Sequence, residues 1–184
     1  MPRTARARLF DVAVERHGFV TTEDAENLGI PVVELGKLGA RGRLERVGYG
    51  IYRFPELPAT AQDPYMLATL WAGGRGVLSH ATALAIYELC DVNPPKIHLT
   101  VPRGYRPRRA GGELYVVHHE ELDDADLGWW EGIRAVKPAV AIRQAAEGAV
   151  PAYLARQAIK EGVARGILPK GRAEALRRQL SKTA

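Results

Sequence analysis

The sequence predicts an α+β protein with a winged helix-turn-helix at its N-terminus, followed by a mixed α/β C-terminal domain. Three observations predict this fold class. Helical periodicity recurs in three short segments before residue 43. A Gly-Tyr-Gly turn at 48–50 joins two strand-like segments, and strand and helix patterns alternate after residue 64. The predicted domains are 1–56, a winged helix-turn-helix, and 64–184, a mixed α/β domain, with a proline-containing linker between them.

Start signals and apolar spacing predict the three N-terminal helices. The first covers residues 6–17, and the second begins in the run 21–24, where a hydroxyl residue precedes an acid by three positions. Pro31 opens the third helix, because its fixed φ suits a first helical position. The apolar stripe of the third helix is formed by Val32, Leu35 and Leu38.

The remaining elements are shorter or less regular. Phe19-Val20 is predicted as a short extended segment between the first and second helices. Two strands at 44–47 and 51–54 are predicted to form a hairpin. After the linker, helices are predicted at 66–71, 81–89, 139–147, 153–165 and 170–180, and strands at 96–102 and 114–118. The sequence contains no internal repeat.

Composition excludes several classes of protein. The 184 residues are 46% hydrophobic, yet no run approaches the ~18 apolar residues of a membrane span. Arginines near the N-terminus are not followed by an apolar core, so we expect no secretion signal. Cys90 is the only cysteine, which excludes an intrachain disulfide and favours a reducing, cytoplasmic setting.

Charge favours a polyanionic partner without proving one. The net charge is +5, and basic proteins gain affinity for nucleic acid by releasing its counterions. Nine basic and eight acidic residues leave positions 1–58 near neutral, whereas 151–184 hold eight basic and two acidic residues. The C-terminal basic face is interpreted either as solvated or as a contact for an acidic partner or DNA.

The third helix and the hairpin carry the predicted DNA contacts. Lys37 and Arg41 are four residues apart and therefore share a face, roughly opposite the apolar stripe. The predicted DNA-binding set is Arg3, Arg6, Arg8, Lys37, Arg41, Arg43, Arg46, Tyr49 and Arg53. The carboxylate of Glu34 would repel a phosphate near the start of the third helix, although it could accept a hydrogen bond from cytosine N4. Two alternatives to DNA contact stay open: these charges are simply solvated, or the helix-turn-helix docks another protein.

Candidate catalytic and metal-binding patterns are weak. Ser79-His80 resembles a nucleophile and base, but adjacent residues at a helix start rarely face each other, so Ser79 is interpreted as an N-cap. His118 and His119 are adjacent on a strand and point to opposite sides, so with His98 and the neighbouring acids they form no evident metal site. We therefore predict no catalytic residue, no metal and no cofactor, and hence no enzyme.

Several motifs resemble the AbiEi-family antitoxins. The run 42–53, GRLERVGYGIYR, is similar to the family's helix–wing junction. The runs 78–84, LSHATAL, and 97–102, IHLTVP, are similar to its later helix start and central strand. The resemblance extends from about residue 5 to 168, and it departs from the family pattern at 136–142, where the usual threonines are missing.

The resemblance implies a bicistronic toxin–antitoxin system. The N-terminal domain would bind double-stranded promoter DNA and repress its own operon, while the C-terminal domain would counteract a cognate nucleotidyltransferase-like toxin. The positions implied for partner binding are Ser79, His80, Arg103, Arg106, Arg108 and Arg109. Two alternatives stay open: a stand-alone winged-helix regulator, and a transferase that modifies the toxin by using Ser79. No membrane partner is expected, and no dimerisation signal is readable.

Overall fold

The computed structural model describes the backbone of residues 4–183 and the side chains of residues 4–182. Its contacts form two compact units. The first unit runs up to Arg75 and includes residues 107–112 and 131–133; the second consists of 76–106, 113–130 and the chain from Arg134 onward. Compact units need not coincide with independently folding domains, so the domains 1–56 and 64–184 stay a prediction.

The first unit has the helix and strand order of a winged helix-turn-helix. Its elements are α1 (Ala5–Val14), β1 (Phe19–Thr21), α2 (Thr22–Asn27), α3 (Val32–Ala40), β2 (Glu45–Gly48), β3 (Ile51–Arg53) and α4 (Asp63–Trp71). The three strands form an antiparallel sheet in the order β1-β3-β2. Phe19-Val20, expected only as an extended segment, is a paired strand that closes this sheet.

A small apolar core holds the three helices and the hairpin together. Its fully buried members include Leu9 of α1, Leu35 of α3 and Phe54 after β3. The Phe10 ring meets the Phe54 ring edge-on, with centroids 5.2 Å apart. Val32, predicted in the apolar stripe of α3, is 38% exposed, because α3 contacts the core mainly through Leu35.

The proline-containing segment after β3 is attached to the first unit and is not a free linker. Leu57 packs against the apolar core. The Arg53 guanidinium donates to the Leu57 carbonyl at 3.0 Å and lies 3.3 Å from the Asp63 carboxylate. Prolines limit chain flexibility wherever they occur, so their presence does not distinguish a linker from a segment that packs in one conformation.

The second unit is a five-stranded sheet with helices. Its elements are β4 (Val77–Leu78), α5 (His80–Ile86), β5 (Ile97–Val101), β6 (Tyr115–His119), β7 (Leu127–Trp130), β8 (Ile133–Val136), α6 (Pro138–Gln144), α7 (Ala152–Ala164) and α8 (Lys170–Thr183). The strand order is β6-β5-β4-β8-β7. β5 pairs antiparallel with β4 and parallel with β6, and β4 pairs parallel with β8. The α+β fold class predicted from the sequence is confirmed.

The helices of the second unit pack into one core. Its buried members include Leu84 of α5, Ile142 of α6, Ile159 of α7 and Leu176 of α8. The sequence did not indicate β7 and β8, because their short apolar stretches lack an alternating pattern long enough to recognise. None of the helices within residues 4–183 is long and apolar enough to cross a membrane.

Candidate functional site

The outer face of α3 is open and carries basic side chains. Leu35 faces the core and is fully buried, while Lys37 has 52% of its side chain exposed and Arg41 is exposed at the C-terminal end of the helix. Val33 is 60% exposed, and no atom lies within 4 Å of the position that a Cβ at Gly36 would take. The backbone of this face is therefore uncovered at Gly36.

Lys37 forms a surface ion pair with Glu34. The two charged groups are 2.6 Å apart, one helical turn from each other. Exposed ion pairs of this kind contribute about 0–1 kcal/mol. Lys37 can therefore exchange its carboxylate partner for a phosphate at little cost, so Glu34 is a weaker objection to DNA contact than the sequence implied.

A charged network fixes the start of α2. Thr21 and Asp24 form a reciprocal capping box, in which each side chain binds the other residue's backbone N–H. The Arg16 guanidinium donates to the Asp24 carboxylate at 2.7 Å, and Asp24 is only 8% exposed. Since α2 packs on α3, this network positions the helix that presents Lys37 and Arg41.

The wing is short and ends at an exposed aromatic ring. Tyr49 lies at the turn between β2 and β3 and is 72% exposed. Gly50 has φ +67°, and a Cβ there would lie 2.9 Å from the Thr22 hydroxyl oxygen, so this close approach requires glycine. The Thr22 N–H donates to the Gly50 carbonyl at 3.0 Å, which ties the wing tip to the start of α2.

Some arginines of the predicted DNA-binding set bind the protein's own chain. Arg6 pairs with Glu56 and lies over the Phe54 ring. Arg53 has 13% of its side chain exposed and pairs with Asp63. These two guanidiniums hold the segment after β3 in place, so their positions do not favour the DNA contact predicted for them.

The other arginines of the set divide into three groups. Arg41, Arg43 and Arg46 are exposed, and Arg46 reaches the Gly48 carbonyl at 3.3 Å. Arg8 is exposed but donates to the Leu28 carbonyl at 2.5 Å. Arg3 lies outside the described residues. We define the α3–wing surface as Lys37, Arg41, Arg43, Arg46 and Tyr49.

Ser79 and His80 contact each other, contrary to the expectation for adjacent residues at a helix start. Ser79 occupies the N-cap position of α5 but makes no capping hydrogen bond with its side chain. Its oxygen accepts from the Thr100 hydroxyl at 2.8 Å and lies 2.9 Å from His80 Nδ1. The Gln144 side chain takes over part of the capping, since its oxygen accepts from the His80 N–H at 2.9 Å.

The contact depends on an unusual backbone conformation at His80. Its φ is +52°, in the left-handed region that non-glycine residues rarely adopt and that costs about 1–3 kcal/mol. This conformation turns the imidazole back toward the preceding side chain. Ser79 itself is fully buried, so its hydroxyl is not presented to a substrate.

Three histidines of the second unit form a stack beside Ser79. The His80 and His118 rings are parallel, with centroids 3.5 Å apart, and His98 Nδ1 lies 3.0 Å from His118 Nε2. Burial, followed by the neighbouring histidines, lowers the pKa of His80 to about 3 and that of His118 to about 4. Burial also lowers the pKa of His98.

This stack is unsuited to holding a metal as it stands. Ring nitrogens coordinate in the plane of the ring, so parallel stacked rings do not aim at one point. Across the described part of the chain, no group of three or more His, Cys, Asp or Glu side chains is arranged for a metal ion. The sequence did not reveal the stack, because the three histidines are far apart along the chain.

The residues implied for partner binding do not all belong to one unit. Ser79, His80, Arg103 and Arg106 are in the second unit, whereas Arg108 and Arg109 are in the first. Arg106 contacts the Arg103 carbonyl and the His119 ring. Only exposed members of the set can meet a partner directly, and Ser79 is not one of them.

The basic C-terminal helix presents its charges outward. α8 buries Ala173, Leu176 and Leu180 along one stripe, which attaches it to the core of the second unit. Its exposed basic side chains are those of Lys170, Arg172, Arg177, Arg178 and Lys182. These side chains are therefore open to solvent and equally accessible to an acidic partner or to DNA, so both interpretations of this face stay predictions.

The helix order, the three-stranded sheet and the exposed α3 define the first unit as a winged helix-turn-helix of the type found in transcriptional regulators. Residues 7–55 match the family model described as a transcriptional regulator, AbiEi antitoxin. The resemblance stated from the sequence is therefore confirmed for this segment.

Two further comparisons add little to this result. The crystal structure of the RV2827C protein from Mycobacterium tuberculosis is similar at a TM-score of 0.49 and 19% sequence identity, covering 97% of this chain and 82% of that chain. No curated protein matches the chain significantly.

Proposed function

We propose that this chain is an antitoxin-type transcriptional regulator that binds its own promoter DNA through the α3–wing surface. The exposed basic face of α3, opposite the buried Leu35, carries the proposal. Phosphate contacts supply most of the affinity of such an interface, and side chains on the outer helix face supply its sequence preference. The AbiEi match over residues 7–55 supports a role in transcription.

A salt-dependent mobility shift on the upstream DNA tests DNA binding. We expect Lys37→Ala and Arg41→Ala each to weaken binding about tenfold and to lower the salt slope by about 0.9. The thermal unfolding of both variants should match that of the wild type, since exposed substitutions rarely change stability by more than ~0.5 kcal/mol. Lys96→Ala and Arg134→Ala, which alter exposed residues of the second unit, are the matched controls.

The second part of the proposal is that the chain counteracts a nucleotidyltransferase-like toxin. It rests on the antitoxin description of the matching family. Expression of the chain should restore growth to cells that produce such a protein from the neighbouring gene. If DNA binding persists but no neighbouring gene of this kind exists, the stand-alone regulator is the correct alternative.

The burial of Ser79 disfavours the transferase alternative. A nucleophile must reach its substrate, and this hydroxyl is fully enclosed and bonded to Thr100. We propose a structural role for Ser79 and the histidine stack. Incubation of the chain with labelled nucleotide and the purified toxin should transfer no label; transfer that disappears in Ser79→Ala would support the enzyme.

A further inference from the structure

The first unit contains a pocket that the α3–wing surface does not include. Its volume is about 280 Å³. Three arginines from separate segments line it: Arg16 after α1, Arg75 after α4, and Arg109 in the 107–112 segment. Thr22 at the start of α2 and Gly50 at the wing tip also line it. We call this feature the arginine pocket.

Arg16 and Arg109 are each anchored through one nitrogen, while part of each fork stays available. Arg16 donates one nitrogen to Asp24 at 2.7 Å, and Arg109 donates one to the Leu70 carbonyl at 2.9 Å. A guanidinium carries five N–H donors. Among the described residues, Arg16 and Arg109 each donate hydrogen bonds through a single nitrogen, so their other N–H groups can bind a ligand without reorganisation of the side chain.

The charge balance favours an anion over a cation. Glu23 and Asp24 also line the arginine pocket. Asp24, however, is already neutralised, because it accepts from Arg16 and from both the N–H and the hydroxyl of Thr21. Because Arg16 and Asp24 compensate each other, the remaining charged residues of the lining are Arg75 and Arg109 against Glu23, which leaves the lining positive.

The arrangement suits a phosphate group in particular. Planar guanidinium forks bind the oxygens of phosphate in pairs, with short charge-assisted hydrogen bonds. Guanidiniums that line one pocket from three segments match an anion with several oxygens better than they match a carboxylate with two. The volume lies at the lower end of the ~300–1,000 Å³ typical of ligand pockets, so the bound group is small.

We propose that the arginine pocket binds a phosphate group, which belongs either to the DNA backbone or to a small phosphorylated molecule. Arg109 lies over the Tyr49 ring, with its guanidinium carbon 5.9 Å from the ring centre. Gly50 forms part of the pocket wall. A bound phosphate consequently acts on the wing tip, through Arg109 and through the turn that Gly50 forms.

Titration of inorganic phosphate into the full chain tests the site. We expect saturable binding by calorimetry and a rise in Tm that sodium chloride at equal ionic strength does not reproduce. Arg75→Ala and Arg109→Gln should each weaken phosphate binding by at least about tenfold. Arg134→Ala, at an exposed residue of the second unit, should bind phosphate like the wild type.

A DNA-binding measurement identifies the source of the phosphate. If the group belongs to the DNA backbone, Arg75→Ala lowers the salt slope of duplex binding by about 1 and inorganic phosphate competes with DNA. If it belongs to a small molecule, the slope is unchanged while phosphate binding is lost in Arg75→Ala. Both results support the site.

The absence of saturable phosphate binding together with an unchanged salt slope would overturn the proposal, as would equal behaviour of Arg75→Ala and Arg134→Ala. The site does not depend on the proposed function. If Lys37→Ala and Arg41→Ala do not weaken DNA binding, DNA contact through the α3–wing surface is contradicted. The result expected for the phosphate titration does not change. The two failures are therefore distinguishable.

Discussion

At the scale of single residues, arginines that are equivalent in the sequence have different roles. Arg43 and Arg53 both flank the hairpin, and both were predicted to bind DNA. Arg43 is exposed, whereas Arg53 pairs with Asp63 and is 13% exposed. Asp63 is ten residues further along the chain, beyond two prolines, so neither spacing nor periodicity indicated this ion pair.

The first prediction separates these two roles. Arg53→Ala leaves the Asp63 carboxylate, which is 15% exposed, without its cation, so we expect a loss of about 3 kcal/mol in the free energy of unfolding. Arg43→Ala should cost less than ~0.5 kcal/mol, yet it should weaken DNA binding. Urea unfolding and mobility shifts on both variants measure the difference. Equal stability of the two variants would contradict the structural role of Arg53.

At the scale of elements, the glycine of the wing turn and the glycine inside α3 lie in opposite surroundings. Gly50 has a positive φ and lies against Thr22, so the turn requires it. Gly36 lies inside α3 with open space around it, where glycine lowers the stability of the helix. The sequence predicted that Gly50 lies in the wing turn and Gly36 inside the third helix. It could not show that the position of Gly50 is crowded and that of Gly36 is open.

The second prediction uses this contrast. Gly50→Ala should destabilise the chain by about 1–2 kcal/mol, because the turn needs a left-handed conformation and the added methyl meets the Thr22 hydroxyl. Gly36→Ala should stabilise it by about 0.5–1 kcal/mol, since alanine is the better helix former. Thermal unfolding of both variants measures the two effects. A stabilised Gly50→Ala would show that the wing turn does not hold this geometry.

The start of α5 gives the third prediction. Ser79→Ala removes the acceptor of the buried Thr100 hydroxyl and the contact of His80 Nδ1, so we expect a loss of about 1–3 kcal/mol. Ser181→Ala, at an exposed site on α8, should change stability by less than ~0.5 kcal/mol. Toxin neutralisation per folded molecule should be unaffected by Ser79→Ala. Lost neutralisation with unchanged stability would contradict the structural role.

At the scale of the whole molecule, the two units carry different chemistry. The α3–wing surface and the arginine pocket belong to the first unit, and the histidine stack belongs to the second. Buried neutral imidazoles stabilise a fold only while they stay unprotonated. The stability of the whole chain therefore depends on pH through residues that have no part in the proposed DNA contact.

The fourth prediction concerns this pH dependence. The unfolded chain takes up protons on His80 and His118 near pH 6.5, whereas the folded chain resists protonation until their lowered pKa values of about 3 and 4. Stability should thus be constant above pH ~6.5 and fall as the pH decreases toward 4. Urea unfolding at several pH values measures this slope.

A variant of the stack provides the control. In His80→Asn with His118→Gln, the slope between pH 6.5 and 4 should be shallower than in the wild type, since these two imidazoles no longer titrate. Asparagine tolerates the left-handed backbone at position 80 better than most residues. An unchanged slope in the double variant would assign the acid sensitivity to other groups.

The sequence by itself determined the order of elements in the first unit, the exposed face of α3 and the glycine turn of the wing. These features depend on periodicity, capping and turn chemistry, which act between residues close together in the chain. Only the tertiary structure decided that Arg53 binds Asp63, that Ser79 meets Thr100 and His80, and that three distant arginines share a pocket. Each of these contacts joins side chains whose positions depend on the packing of the surrounding elements, and no local pattern records that packing.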